Sequence, residues 1–209
     1  MANAVIATET ITMPEVAEKK QQQQQTVKFH ETDSQLFAKG KSLVNQKKFD
    51  EAIGVYDQLI EMYPMCAKAH NGKGNALYGL KDYVEAINCY CKAIEIDPTV
   101  AVHFINLAHA YNCQGIFMSQ MKNFKEAIYC FNKAIEIDPK DSLYYNNKGI
   151  ANFNSNSFVE ALECYNKAIE INQKNVIAYI GKGKTLQKLN NLNEASICFQ
   201  IANKLRNQN

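Results

Sequence analysis

The sequence predicts an all-α protein built as a stack of antiparallel helix pairs. Four segments of 16 residues share one pattern and begin at Phe49, Tyr83, Phe124 and Phe158, and a weaker copy begins at Leu192. Their starts are 34, 41, 34 and 34 residues apart. A fixed period of this length is typical of repeat proteins whose units stack on their neighbours. Function is therefore expected on a surface built from several repeats.

An N-terminal segment of different composition precedes the repeats. Residues 1–32 include five consecutive glutamines and no sustained periodicity, which predicts a disordered tail. The alternative is a short partner-binding segment around Val27, Phe29 and His30. The chain starts without a basic region followed by an apolar core, and it has no run of 18 apolar residues. Neither a secretory signal nor a membrane-inserted helix is therefore expected.

Charge and cysteine usage narrow the class of partner and the compartment. The net charge of +2 comes from 23 basic and 21 acidic residues, so nucleic acid is not an expected partner. Seven cysteines form no CxxC pair, and four of them recur at one place in successive repeats, which indicates small packing residues. Unpaired thiols fit a reducing compartment. We expect a cytoplasmic protein, with the nucleus or a cytoskeletal assembly as alternatives.

Each repeat is predicted to form two helices. In the second repeat the first helix runs from Ala67 to about Leu80, and the second runs from Asp82 to Ile96. Asp97-Pro98 then ends it, because proline cannot continue a helix and disfavours helical geometry at the preceding residue. The predicted repeat domain spans 33–209, with repeats at about 33–66, 67–100, 101–141, 142–175 and 176–209.

The second helices carry a start signal in which a short polar residue is followed three residues later by glutamate. Such a capping box satisfies two backbone amides at the helix start. The pairs are Asp82 with Glu85, Asn123 with Glu126, Ser157 with Glu160, and Asn191 with Glu194. The first repeat has Lys48 in the capping place, so its second helix is expected to fray more.

Small residues recur where the helices must approach closely. Glycine costs about 1 kcal/mol relative to alanine inside a helix, so its recurrence indicates a steric requirement. In the first helices these residues are Gly40, Gly74, Ala108, Gly149 and Gly183. In the second helices they are Ala52, Ala86, Ala127, Ala161 and Ala195, each followed four residues later by Tyr or Phe.

This arrangement resembles the tetratricopeptide repeat (TPR) family. The residues of the second repeat that carry the resemblance are Gly74, Leu77, Tyr83, Ala86, Tyr90, Ala93 and Pro98. It covers five repeats, about residues 33–209. The resemblance implies a right-handed superhelical solenoid in which the first helices line a concave groove that binds peptide segments of partner proteins.

The resemblance also implies which side chains face that groove. They are Asn71, Asn75, Tyr78, Asn106, His109, Asn112, Asn146, Asn147, Phe153, Lys184 and Lys188. Asparagine offers both a donor and an acceptor, so a row of them can pair with the backbone of an extended peptide. Asn106 and Asn147 are expected at equivalent places. The alternative is that these asparagines reflect composition and are simply solvated.

The expected function is a protein-interaction scaffold or adaptor without catalytic activity or cofactor. Some TPR co-chaperones hold a C-terminal carboxylate with three cations and two asparagines. In this chain Asn71, Leu143 and Asn147 occupy the places of the three cations. Because a buried carboxylate needs charge-assisted donors, we do not expect this carboxylate clamp here. A co-chaperone of another type and a regulatory subunit of a larger enzyme complex are the alternatives. His109 and Cys113 lie one turn apart, but two ligands do not make a metal site.

The third repeat is seven residues longer than the others. We expect the excess near Gly115 to Met121, as one added turn on each helix, so that this hairpin protrudes. Phe117 and Met118 would then lie at its tip. Two interpretations stay open: an exposed apolar partner site, or packing against the neighbouring hairpins.

The last repeat carries an unusual apolar row. Ile197, Ile201 and Leu205 are spaced i, i+4, i+8 and share one helix face. Solenoids normally end in a polar cap, which this row does not provide. Self-association or a docked protein partner would explain it, and packing at the end of the stack is the alternative.

Overall fold

The computed structural model describes residues 31–207, and within that range it contains ten α-helices and no strand. The helices are α1 (Glu31–Asn45), α2 (Phe49–Met62), α3 (Ala67–Gly79), α4 (Tyr83–Ile96), α5 (Ala101–Gln120), α6 (Phe124–Ile137), α7 (Ser142–Asn154), α8 (Phe158–Ile171), α9 (Val176–Lys188) and α10 (Leu192–Arg206). Of the predicted tail, residues 1–30 lie outside the described residues, and the last two belong to α1.

The helices pack in the order of the chain, as five hairpins that stack on one another. Each odd-numbered helix, the first helix of its repeat, packs on the second helix that follows it and on the second helix before it. Consecutive first helices also contact each other, whereas within the described range no two second helices do. The first helices therefore lie on the inside of the stack. This arrangement confirms the predicted all-α solenoid.

An aromatic side chain from each of the first four second helices fills the space between two first helices. Tyr56 of α2 is 5% exposed and lies between Gly40 of α1 and Gly72 of α3. A methyl group on Gly72 would come within 2.3 Å of the Tyr56 ring. The recurring small residues therefore exist because the ring leaves no room for a side chain, as the sequence predicts.

The turn inside each hairpin has one fixed geometry. The residue before the capping position adopts a positive φ between 60° and 65°; these residues are Lys47, Lys81, Lys122, Asn156 and Asn190. At α3 the amide of Asp82 donates to the carbonyl of Leu77 at 3.0 Å, the bond of a Schellman turn. This left-handed position usually takes glycine, which is why sequence inspection did not mark it.

None of the four predicted capping boxes forms in full, because each cap amide donates to a carbonyl of the preceding helix. The other half, from the cap side chain to the glutamate amide, forms at only two places. Asp82 accepts from the amide of Glu85 at 3.3 Å, and Asn191 accepts from that of Glu194 at 3.4 Å. Asn123 and Ser157 make no such bond, so the prediction is wrong there. The Ser157 hydroxyl instead accepts a bond from Ser155 at 3.3 Å, while nothing in the structure explains Asn123.

The seven extra residues all belong to α5, which has 20 residues, while α6 keeps the usual 14. The expected hairpin with one added turn on each helix is therefore wrong. Gly115 packs on Phe131 as Gly74 packs on Tyr90, and each glycine lies five residues before the end of its helix. The end of α5 is thus regular. The excess is residues 101–107, not the predicted segment at 115–121, and the small residue of this repeat is Gly115 rather than Ala108.

The insertion keeps the faces of α5 while shifting them along the helix axis. Seven residues turn an α-helix by nearly two full turns, with a mismatch of only about 20°. They also add about 10 Å of length. The part of α5 that contacts α3 is aligned with the regular repeats from the start of the helix. The part that contacts α7 is aligned with them seven residues later. The two halves of the stack are offset by this step.

Candidate peptide-binding groove

Four pockets lie in a row between consecutive first helices. Their volumes are about 360, 440, 360 and 290 Å³ from the N-terminal to the C-terminal end. The aromatic residue of a second helix contributes to each one: Tyr56, Tyr90, Phe131 and Tyr165, in that order. The side chains that fill the core between repeats thus also form the floor of the groove.

The two N-terminal pockets join through Asn75, which lines both. Lys41 of α1 and Lys68 of α3 border the first pocket together with Asn71. The second pocket, between α3 and α5, is lined by Asn75, Tyr78, Tyr90, Ile105, Asn106 and His109.

The two C-terminal pockets join through Ile150 and Asn154. The third, between α5 and α7, is lined by Ile116, Ser119, Gln120, Phe131, Asn147, Ile150 and Asn154. The fourth, between α7 and α9, is lined by Ile150, Phe153, Asn154, Tyr165, Ile177, Ile180, Gly181 and Lys184. Asparagine therefore lines all four pockets, and the fourth pocket adds three isoleucines.

Two equivalent hydrogen bonds between asparagine side chains cross the groove floor, and we call them the asparagine ladders. Asn106 Nδ2 donates to Asn71 Oδ1 at 2.9 Å. Asn147 Nδ2 donates to Asn112 Oδ1 at 2.8 Å. Each donor is 35 residues after its acceptor. This geometry confirms that Asn106 and Asn147 occupy equivalent places.

The N-terminal ladder is extended by Tyr90. Its hydroxyl donates to Asn75 Oδ1 at 2.9 Å, and the same oxygen accepts from Asn106 Nδ2 at 3.2 Å. Burial raises the pKa of the Tyr90 phenol above its ordinary value, so the hydroxyl stays protonated and remains a donor. Asn75 Nδ2 and Asn106 Oδ1 make no bond to any described residue, so both are available to a ligand.

The step in α5 separates the two halves of the groove. Residues 105–109 of α5 face the second pocket, and residues 116–120 face the third. Between these sets, the Tyr78 hydroxyl lies 3.1 Å from Cys113 Sγ. Burial, followed by this contact, raises the pKa of Tyr78, so the phenol is neutral at physiological pH.

Tetratricopeptide repeat family models match four stretches of the chain. They cover residues 37–101, 108–141, 142–175 and 164–195. The chain belongs to the tetratricopeptide repeat family. The match to the third repeat begins at Ala108, which leaves 102–107 unmatched, in agreement with the position of the insertion in this TPR protein.

Solved TPR structures share the fold at low sequence identity. MamA from Desulfovibrio magneticus RS-1 is 14% identical with a TM-score of 0.64, covering 86% of this chain and 97% of that one. Another MamA crystal structure is 21% identical with a TM-score of 0.65, covering 85% and 93%. YrrB, a TPR protein with an unusual peptide-binding site, is 18% identical with a TM-score of 0.58, covering 91% and 90%. No curated protein sequence matches the TPR chain.

Most of the groove residues predicted from the sequence line the pockets. These are Asn71, Asn75, Tyr78, Asn106, His109, Asn147, Phe153 and Lys184. Lys188 is exposed one turn beyond Lys184 on the same helix. Asn112 is 4% exposed and reaches the groove only through its bond to Asn147.

Asn146 is not on the groove surface. It is 3% exposed, and its Oδ1 has no hydrogen-bond partner among the described residues. The prediction that it faces a ligand is therefore wrong. Lys68 and Ile177, which the sequence prediction missed, each follow the first residue of their helix. The 34-residue period, extended to the helix starts, would have found both.

The predicted secondary contact residues differ in exposure. Phe117 is 50% exposed, whereas Met118 packs against the cluster of Ala127, Phe131 and Ala151. In α10, Ile197 is 54% exposed, and Ile201 and Leu205 are half-buried. The apolar row at the end of the TPR stack is thus only partly open.

All seven cysteines are free thiols. Within residues 31–207, no group of three or more His, Cys, Asp or Glu side chains could hold a metal ion. Nor is any described helix both long and apolar enough to cross a membrane.

Proposed function

We propose that this TPR protein is an adaptor that holds an extended segment of a partner protein in the groove between its first helices. A protein-interaction scaffold is the general role that membership of the TPR family supports. The finer proposal rests on the asparagine ladders, which occupy the groove floor with hydrogen-bonding atoms left over. YrrB, which shares the fold, has a peptide-binding site, and this supports a peptide as the kind of ligand.

The ladders are suited to a peptide backbone because each one fixes the orientation of its amides. Once Asn106 Nδ2 is bound to Asn71 and Asn75, its Oδ1 must act as an acceptor. Since the Oδ1 of Asn75 receives two bonds, its Nδ2 remains as a donor beside that acceptor. A peptide group offers one donor and one acceptor, so it complements this pair without any requirement on its side chain.

The fixed orientation also reduces the cost of binding. Immobilising a free amide side chain on association costs about 0.5–1.5 kcal/mol. The ladder bonds already hold these asparagines in the unliganded protein, so a ligand does not have to order them. The neighbouring pockets then receive the side chains of the bound segment.

The test compares two double variants as baits in a pull-down with chemical cross-linking and mass spectrometry. Asn106→Ala with Asn147→Ala removes both ladder donors. Asn166→Ala with Asn193→Ala removes two exposed asparagines from second helices and serves as the matched control. At about 0.5–1.5 kcal/mol for each lost bond, the groove variant should bind its cross-linked segment about 5- to 150-fold more weakly.

Titration of the cross-linked segment, made as a synthetic peptide, gives the affinities directly. Thermal melts of both variants separate lost binding from lost folding. They are needed because Asn147→Ala leaves the buried Asn112 without its hydrogen-bond partner, which can lower the stability of the fold. If the groove variant binds as tightly as the control, the asparagines reflect composition and the groove proposal fails.

A further inference from the structure

Acidic side chains are segregated away from the groove. The helices α3, α5, α7 and α9 contain no Asp or Glu, whereas α1 begins with Glu31 and contains the buried Asp33. No pocket described above is lined by an acidic residue. Every second helix, in contrast, carries glutamate in its first turn: Glu51, Glu85, Glu126, Glu160 and Glu194. A chain with a net charge of only +2 therefore presents a groove without negative charge.

The positive charges of the groove lie at its two ends. Lys41 and Lys68 border the first pocket, and Lys184 borders the fourth, with Lys188 one turn further along α9. All four are exposed, and no salt bridge of the described residues involves them. Between them, α5 has no Lys or Arg at all.

We propose that the groove takes an acidic, extended internal segment of a partner protein, with carboxylates at both ends of a neutral stretch of about nine residues. Charge complementarity with the two lysine pairs is the basis of this inference, which rests on the proposed role of the groove in peptide binding. The neutral stretch lies over the asparagine ladders, where amides meet peptide groups.

The length follows from the packing of the first helices. The first and fourth pockets are three helix spacings apart, about 27 Å at the usual distance between packed helices. The step in α5 adds about 10 Å along the helix axes. The two lysine pairs are therefore roughly 29 Å apart, which an extended chain spans with about nine residues at 3.3 Å each.

The two ends of the bound segment differ in their neighbours. Ile177 and Ile180 line the fourth pocket beside Lys184, so an apolar side chain next to the carboxylate fits there. Asn71 and Asn75 line the first pocket together with the rings of Phe37 and Tyr56, so this end has amide and aromatic neighbours instead of aliphatic ones. An evenly charged polyanion such as single-stranded RNA fits less well, because its central phosphates would face a groove section without cations.

The test uses fluorescence anisotropy with three synthetic 13-residue peptides, acetylated and amidated so that no terminal charge contributes. The first has an acidic pair at each end of nine neutral residues, with leucine beside one pair. The second has the same composition with all four acids in the centre, and the third replaces the acids with amides. A ten-nucleotide oligouridylate is the fourth probe. We expect the first peptide to bind about tenfold more tightly than the others at low salt, and salt to weaken it.

Charge reversal assigns the contacts. Lys41→Glu with Lys68→Glu, and separately Lys184→Glu with Lys188→Glu, should each weaken the first peptide about tenfold. The matched control is Lys125→Glu with Lys204→Glu, which makes the same charge change on exposed residues of second helices and should leave binding unchanged.

Several results would overturn the inference. Equal binding of the acidic and amide peptides would reject charge recognition while leaving the groove proposal intact. If the oligouridylate binds more tightly than the first peptide, the ligand of the groove is a nucleic acid and the acidic-segment inference is wrong. If none of the three peptides binds, the acidic-segment inference fails, and the ladder variants in the pull-down still decide separately whether the groove binds a partner.

Discussion

Replacing Gly181 by alanine should destabilise the stack, although alanine favours helices more than glycine does. The added methyl group would lie 2.4 Å from two ring carbons of Tyr165. That ring is 2% exposed and also packs on Gly149, where a methyl group would lie 2.8 Å from it, so it cannot move aside. Overpacking of this kind costs about 1–3 kcal/mol. Helix propensity offsets up to about 1 kcal/mol.

The expected net loss is up to about 2 kcal/mol, which corresponds to a melting temperature lower by up to about 8 °C for a domain of this size. Gly54→Ala in α2 is the matched control, because a methyl group there meets no atom within 4 Å. It should gain up to about 1 kcal/mol from propensity alone. Urea unfolding followed by circular dichroism measures both variants against the parent.

A third variant tests the assigned cause. If the Tyr165 ring is the obstacle, Tyr165→Leu should remove most of the additional cost of Gly181→Ala, as a coupling between the two changes. The reasoning is refuted if both glycine replacements stabilise the protein equally, because the ring would then have room to move.

Three further predictions concern the ends, the turns and the thiols. Ile197→Glu with Ile201→Lys should keep the fold but lower self-association, measured as the molecular mass in light scattering. If the mass does not change, the apolar row of α10 only packs within the last repeat. Lys122→Gly should raise the melting temperature slightly, since Lys122 has a φ of 60°. Burial raises the pKa of the Cys130 thiol from 9.0 to about 11 in the folded protein. Between pH 9 and 11 this thiol ionises only in the unfolded chain, so the free energy of unfolding should fall as the pH rises. Cys130→Ala should make that fall less steep, as measured by urea unfolding across this pH range.

The repeat pattern predicted the fold well because it combines local and packing signals. Proline after three of the second helices is a local signal, because it cannot continue a helix. Small residues opposite aromatic rings are a packing signal. The predicted start of the second helix in the second repeat, for example, agrees with Asp82 as the cap of α4. Because each signal recurs in several repeats, one irregular residue does not change the predicted fold.

The position of the insertion was mispredicted because a seven-residue insertion hardly disturbs helical periodicity. Adding two turns at either end of the first helix leaves the same apolar face. The spacing from the small residue to the capping residue would have resolved this ambiguity. It is eight residues from Gly74 to Asp82 and from Gly149 to Ser157, and counting back from Asn123 gives Gly115.

Side-chain burial within the groove was harder to predict than its location. Asn146 and Asn147 are neighbours of one type, yet the first is 3% exposed and the second lines a pocket. A rotation of about 100° about the helix axis separates them, and which of the two is covered depends on how closely the neighbouring helices approach α7. The hydrogen bond between Asn106 and Asn71 likewise depends on the distance between two helices and cannot be read from spacing alone.

Deleting residues 101–107 should convert the third repeat into a regular one. Ala108 would then follow Val100 as Ala67 follows Cys66, and Gly115 would keep its contact with Phe131. The shortened protein should still unfold in one cooperative transition. Its stability should fall by about 1.5–3 kcal/mol, the value of burying the lost Leu107, which is 7% exposed.

Deleting only 103–107 is the control that separates register from length. Removing five residues rotates the end of α5 by about 140° relative to its start, so α4 and α6 can no longer pack on it together. Two separate unfolding transitions are expected, one for each half of the stack. If the seven-residue deletion also gives two unfolding transitions, the insertion is not a simple addition of two helical turns. The offset between the two halves of the groove would then have another origin.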